Sequence, residues 1–256
     1  MFSFLGKSIK LKLGSIVTVM FILNILTIVS ILILLQQQKD YANSIDEAGK
    51  MSMLSQTIPK DAFLLANDYK EVKQTLKENS DKYDQVISNL INGSQERSIM
   101  PSSPEIKAEI EKTSVLWNTI KKDVNVLLTT GKYNDGFVIA VESIKDKNLA
   151  LLNQADLAVK TITNESKTKI QNTLNFLYLF LFLSVVTFVL ALVTVINIVK
   201  PIIELTKATK TITRFNLRSN VNVTTNDEIG ELAKNFNHML SNLEDNISKD
   251  LKEINY

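Results

Sequence analysis

The run QNTLNFLYLFLFLSVVTFVLALVTVINIVKP, Gln171 to Pro201, carries no charge before Lys200 and is long enough to cross a bilayer. At Lys200-Pro201 it gives way to an amphipathic pattern. A membrane span continued by such a helix passes conformation inward, so the segment before Gln171 is expected to collect a signal and the segment after Pro201 to receive it. A second uncharged run lies between Lys12 and Lys39, and Ile16 to Leu35 is almost wholly Ile, Leu, Val, Met and Phe. About 20 such residues, rising ~1.5 Å each, cross a hydrocarbon core roughly 30 Å thick. A cleaved signal peptide would have an apolar core of about 7–15 residues ending in a small-x-small site. Leu32-Ile33-Leu34-Leu35-Gln36 offers no such site, so an uncleaved anchor is expected.

Composition narrows the chemistry. Cysteine is absent, which excludes disulfides, thiolate metal sites and cysteine nucleophiles. The one histidine, His238, cannot make a histidine-rich metal centre. A net charge of +2, without basic residues clustered among aromatics, does not describe a nucleic-acid binder. No phosphate-cradling glycine loop or nucleophile elbow occurs, so no catalytic activity and no cofactor are expected.

The placement of charge gives orientation. Lys7, Lys10 and Lys12 precede the first run; Lys200, Lys207, Lys210, Arg214 and Arg218 follow the second, opposed only by Glu204 until Asp227. Positive flanks stay inside, so both termini are expected in the cytoplasm of a two-pass inner-membrane protein, with the intervening segment outside.

That outer segment reads as four helices. In the first, Met51, Leu54, Ile58 and Leu65 recur at helical spacing beside a stripe of small residues, Gly49, Ser52, Ser55 and Ala62. Val72, Leu76, Tyr83, Val86 and Leu90 define the second, with Asn79 at a core-like position and Asn92-Gly93-Ser94 as its end. Ser103 caps a third helix with Pro104 at its first position, followed by Ile106, Ile110, Thr113, Trp117, Ile120, Val124 and Leu127. Phe137, Val141, Ile144, Leu151, Ala155 and Ile162 mark a fourth, unbroken into the second span. The expected fold is all-α: an antiparallel up-down-up-down bundle on the membrane, roughly 45 Å tall at about 30 residues per helix.

Beyond Pro201, Ile202, Leu205, Ala208, Ile212 and Phe215 form a short amphipathic helix. A polar connector follows from Asn216 to Asn226, anchored by Leu217, Val221 and Val223. Ile229, Leu232, Phe236, Met239, Leu243 and Ile247 then form a three-four seam that requires partner helices, here those of a second copy in a parallel coiled coil. The expected division is a cytoplasmic segment 1–14, a span 15–37, an outer sensor 38–170, a span 171–199, an adaptor 200–250 and a tail 251–256.

Lys200-Pro201-Ile202, then Asp227-Glu228-Ile229-Gly230-Glu231-Leu232 and Phe236-Asn237-His238-Met239, resemble a HAMP linker, the adaptor of bacterial chemoreceptors and sensor kinases. At Arg214-Phe215-Asn216-Leu217 the chain departs from the Gly-Asp-Leu usual there. Glu47 to Lys60, EAGKMSMLSQTIPK, resembles the first helix of the pilus-type methyl-accepting chemotaxis transducer sensor domain, a relative of nitrate/nitrite sensor ectodomains. The resemblance implies a receptor. The arginine that binds the anion in the nitrate sensors is matched here by Ser52, and a second commonly basic position by Thr57. A hydroxyl cannot supply a bidentate charged fork, so fold and role carry over rather than nitrate as ligand.

Lys50, Ser52, Ser55 and Gln56 are the candidate ligand contacts, because the first helices of two protomers would gather them on one polar, small-residue face; plain helix packing accounts for the same residues. Trp117 sits on an apolar stripe and reads as core. His238 reads as an exposed adaptor residue, and Asp227 and Glu228 as acids at the positive end of a helix. The resemblance makes Pro201, Asp227, Glu228, Gly230, Leu232, Phe236 and Met239 the signal-transmission set.

The expected protein is a homodimeric receptor in lipid, sensing an unidentified small molecule or protein outside. No output domain is read before Tyr256, so the chain is expected either to work through a separate cytoplasmic partner, a kinase or chemotaxis machinery, or to be a piece of a longer chemoreceptor or kinase. The rival reading is a membrane-anchored scaffold that docks an envelope partner without sensing.

Overall fold

The computed structural model describes residues 8–212, 221–222 and 225–254, with Thr211 and residues 250–254 given by their backbone alone. Among these residues the chain forms α1 (Ile9–Ala66), α2 (Val72–Asn92), α3 (Pro104–Thr129), α4 (Asp135–Thr211) and α5 (Glu228–Ile254). The departure at Arg214-Phe215-Asn216-Leu217, the connector anchors Leu217 and Val223, and Lys7 and Arg218 lie outside the described residues.

The chain divides into two compact units, one of them Ser30–Phe176. Every neighbouring pair of helices in it runs antiparallel. Asp61 meets Asn79 and Glu47 meets Asn89 between α1 and α2. Trp117 meets Asp84 between α2 and α3, and Asp123 meets Ser143 while Glu109 meets Gln154 between α3 and α4. Gln37 meets Thr173 and Tyr41 meets Glu165 between α4 and α1, which closes the ring. This is the up-down-up-down bundle that the sequence predicts.

Its core holds the expected apolar stripes, including all seven residues read on α3. A fully buried side chain of this kind contributes about 1.5–3 kcal/mol. Asn79 is buried, its Nδ2 donating to the equally buried Asp61 at 2.9 Å, so neither polar group is left unpaired.

Local signals set the ends. Gly93 closes α2 at φ +80°, in space where an added Cβ would lie 2.9 Å from Pro101 Cδ. Ser103 Oγ accepts from Ile106 N at 3.4 Å and Pro104 opens α3. The bundle is shorter than the expected 45 Å, because the turn after Ala66 and the connection after Asn92 consume chain; α2, with 21 residues, is about 32 Å long.

The other unit comprises Met1–Val29 and Leu177–Tyr256. Apolar side chains along α1 and α4, such as Phe21, Ile28, Phe182 and Ile196, are more than half exposed, and both helices contain stretches long and apolar enough to cross a membrane. In the same unit Leu205, Val221 and Ala233 form a small core, joined by Ala208, Ile229 and Phe236. Pro201 lies inside α4. With no N–H it leaves the Asn197 carbonyl without its helical donor, a weak point in an otherwise continuous rod.

Candidate functional site

Lys50, Ser52, Ser55 and Gln56 all lie on α1, and the structure does not gather the four on one face. Ser55 is fully buried within its own bundle, its Oγ donating to Met51 O at 2.8 Å and lying 3.1 Å from Tyr83 Oη. Gln56 is exposed and Ser52 half-buried, with an Oγ that meets no hydrogen-bond partner. Lys50 is engaged already, its Nζ at 2.8 Å from Glu47 Oε2 and 3.0 Å from Asp46 Oδ2.

Sequence reading passed over Glu47, which is the centre of that region. It is 1% exposed. Its Oε2 also accepts from Arg97 Nη1 at 2.9 Å, and its Oε1 from Asn89 Nδ2 at 2.7 Å. Arg97 lies on the α2–α3 connection, which is further held by an antiparallel bridge between Ser94 and Ile99 and by Asn43 donating to Ser98 O. One carboxylate therefore ties α1, α2 and the connection together. Burial pushes its pKa up, but the hydrogen bonds and charges of Lys50, Asn89 and Arg97 outweigh burial and hold it below the ordinary value.

A carboxylate whose folded pKa is depressed contributes stability above its unfolded pKa and loses it as pH falls through the folded value. Glu47→Gln is accordingly expected to cost about 1–3 kcal/mol at neutral pH. The gap to the wild type should close on acidification, read by thermal melts of the two proteins from pH 7 downward. A gap independent of pH would show that the charge of Glu47 is not what holds the connection.

Of the signal-transmission candidates, Asp227, Glu228 and Gly230 form a second cluster at the start of α5, while Pro201 lies inside α4 and Leu232, Phe236 and Met239 follow along α5. Asp227 Oδ2 pairs with Lys12 Nζ at 2.9 Å, while its Oδ1 accepts from Ile229 N at 3.3 Å as an N-terminal cap. Glu228 accepts from Ser8 Oγ and, at 2.7 Å, from Ile9 N. The acidic pair therefore caps two helices, α5 through Asp227 and α1 through Glu228. Burial pushes Asp227 up, but Lys12 and the Gly230 N–H outweigh it, and its pKa is lowered. Glu228 is lowered too, chiefly by Ser8 and then by Ile9. In the sequence Lys12 reads only as a flanking charge, since nothing local marks a partner so distant in the chain.

Gly230 is a glycine for a steric reason: an added Cβ would stand 1.7 Å from Thr225 O. Asn237, read only as part of a motif, grips the connector with both ends of its amide, Nδ2 donating to Val221 O at 2.9 Å and Oδ1 accepting from Val221 N at 3.0 Å. The α5 seam splits in two. Ile229 and Phe236 pack against their own chain, while Leu232, Met239 and Leu243 are 53%, 46% and 40% exposed. His238 is exposed, its Nδ1 2.9 Å from Asn242 Nδ2.

Residues 33–135 match the family described as type IV pili methyl-accepting chemotaxis transducer, N-terminal (PilJ), and residues 193–245 match the HAMP domain. No curated protein matches the chain. A solved structure, the ligand-binding domain of the P. aeruginosa nitrate receptor McpN, aligns at 20% identity and a TM-score of 0.41, over 48% of this chain and 96% of that one.

Proposed function

We propose that this chain, which carries a PilJ-type transducer domain over residues 33–135 and a HAMP domain over 193–245, senses a ligand or partner outside the cytoplasmic membrane and passes the signal inward as a homodimer. The chain is a transmembrane signalling receptor, and both matched domains are of non-catalytic kinds. The observation that carries the finer reading is α4, one unbroken helix from Asp135 in the bundle, through the second apolar stretch and Pro201, to Thr211 in the HAMP segment. A shift at its outer end has a direct mechanical route inward.

On this reading the spans are 15–37 and 171–199, the sensor is 38–170, the adaptor is 200–250, and both termini are cytoplasmic. Asp227 and Glu228 tie the start of α1 to the start of α5, so motion of either span reaches the adaptor. Gly230 permits that junction. Pro201 is the compliant point. Ser52 and Gln56, with Lys50 at the edge and Ser55 behind them, are where a second protomer or a ligand would meet α1. A signal shifts the adaptor only if it binds one conformation better than the other.

Because cysteine is absent, an introduced Cys is unique. Met239→Cys in this chain in membranes is expected to cross-link to a second copy, and Leu232→Asp added to it should cut the yield about tenfold by placing a charge in the shared seam. Leu232 is a cleaner probe than Phe236, which also packs within its own chain. Undiminished yield would refute the shared seam. Tags found on one side of the bilayer at both Trp117 and Phe236 would refute the topology. Cross-linking that responds to no outer ligand or partner would favour a docking scaffold.

A further inference from the structure

Within the bundle unit, a cavity of about 320 Å³ opens between α1, the α2–α3 connection, α3 and α4. Its size falls at the small end of ligand pockets, roughly 300–1,000 Å³. Ile106 and Ile162 supply apolar wall, and Asp40, Tyr41, Ser103 and Glu165 supply its polar groups. None of these residues is among the candidates Lys50, Ser52, Ser55 and Gln56.

The electrostatics of this cavity are unbalanced. Asp40 is 7% exposed, yet it has no cationic partner among the described residues; its Oδ1 accepts from Gln36 Nε2 at 2.8 Å and its second oxygen from no protein group. Glu165 is satisfied by neutral donors alone, Tyr41 Oη at 2.9 Å on Oε1 and Ser103 Oγ on Oε2. Burial, and then Glu165, push the Tyr41 phenol up to about 12, so it stays a donor. Two carboxylates thus line one cavity without a positive charge between them. Lys169, the lone cation of the lining, is exposed. A buried carboxylate open on one side to a cavity is costly unless a cation completes it.

We propose that this cavity binds a small ammonium compound, an amine or an amino acid, whose charged nitrogen sits against Asp40 and within reach of Glu165. The apolar wall takes the carbon chain, and Lys169 receives the carboxylate when the ligand is an amino acid. The site names the ligand class of the receptor and rests on that reading for its consequence: the ligand bridges α1 and α4 where both helices leave their apolar stretches, so it biases one against the other.

The test uses the full chain in lipid nanodiscs, with calorimetric titration of ethanolamine, putrescine, choline, L-alanine and L-leucine. At least one is expected to bind, and Asp40→Asn, which keeps the shape and removes the charge, should weaken it about tenfold or more. Glu165→Gln should weaken it less, because Tyr41 and Ser103 already share that carboxylate. Weakening of L-alanine or L-leucine by Lys169→Met, with amines unaffected, identifies the amino acid as the source. Absence of binding by all five compounds, or unchanged affinity in Asp40→Asn with an unaltered melt, overturns the site. Met239→Cys cross-linking separates this from the receptor reading. Binding without any change in cross-linking keeps the site and removes its sensory consequence, whereas cross-linking that responds to an anion, with none of the five compounds bound, keeps the receptor and removes the site.

Discussion

Trp117→Ala is expected to lower the melting temperature of the bundle by roughly 10 °C, from a loss of about 3–5 kcal/mol. Trp117 is 1% exposed and is the chain's single tryptophan. Its ring stacks on Tyr83 with centroids 4.3 Å apart and planes 20° from parallel, and its Nε1 donates to Asp84 Oδ1 at 2.8 Å. Tyr83 in turn meets Ser55, so a single contact chain runs from α3 through α2 to α1. Truncation removes the stack, leaves a void against Tyr83 and takes a donor from Asp84. Trp117→Phe separates these effects. It keeps an aromatic face on Tyr83, and Asp84 keeps Lys121, so about 1 kcal/mol should be lost. Circular dichroism melts of the full chain in nanodiscs read both variants. Equal melts for the two would show that the stack and its volume carry little of the bundle's stability.

The same contact chain shows why parts of this protein are legible in sequence and others are not. The α3 stripe predicts its buried face completely, because a helix flanked on both sides within one bundle repeats its apolar residues at three and four and little else competes for them. On α1 the small residues are ambiguous. A stripe of Gly, Ser and Ala allows close approach by any helix, and spacing alone does not distinguish α2 of the same chain from α1 of another. Ser55 and Ala62 turn out to face the chain's own core.

Charged residues are harder again. Glu47 enters the sequence reading only as the first residue of a motif, yet it is enclosed by Asn89 and Arg97, whose arrival depends on the register between helices and on the fold of the α2–α3 connection. Asp40 and Glu165 meet in one cavity only because α1 and α4 align there. Local periodicity states which face of a helix is covered; it does not state which polar group from another helix arrives to cover it. The α5 seam illustrates a middle case. Its periodicity is plain, but its division between Phe236, packed within the chain, and Leu232 and Met239, left exposed, appears only once Val221 and Leu205 occupy one side.

Gly230→Ala is expected to dislodge the start of α5 while leaving the bundle's melt unchanged. The added methyl would stand 1.7 Å from Thr225 O and 2.8 Å from Thr225 C, and both are backbone atoms that no rotamer change moves aside. The turn before α5 must therefore open, at roughly 3 kcal/mol by analogy with overpacked cores. Opening separates Asp227 from Lys12 and Glu228 from Ile9 N, so the N-terminal end of α1 loses its cap together with α5. Amide hydrogen exchange on the full chain in nanodiscs should show residues 228–232 and the first turn of α1 losing protection together, by about a hundredfold at that cost. Glu228→Gln provides the comparison: it leaves the turn intact and weakens only the contact to α1, so protection should fall at the start of α1 and persist in α5. Loss confined to α5 in Gly230→Ala would mean that the acidic pair does not couple the two helices, and the proposed route inward through that pair would fall.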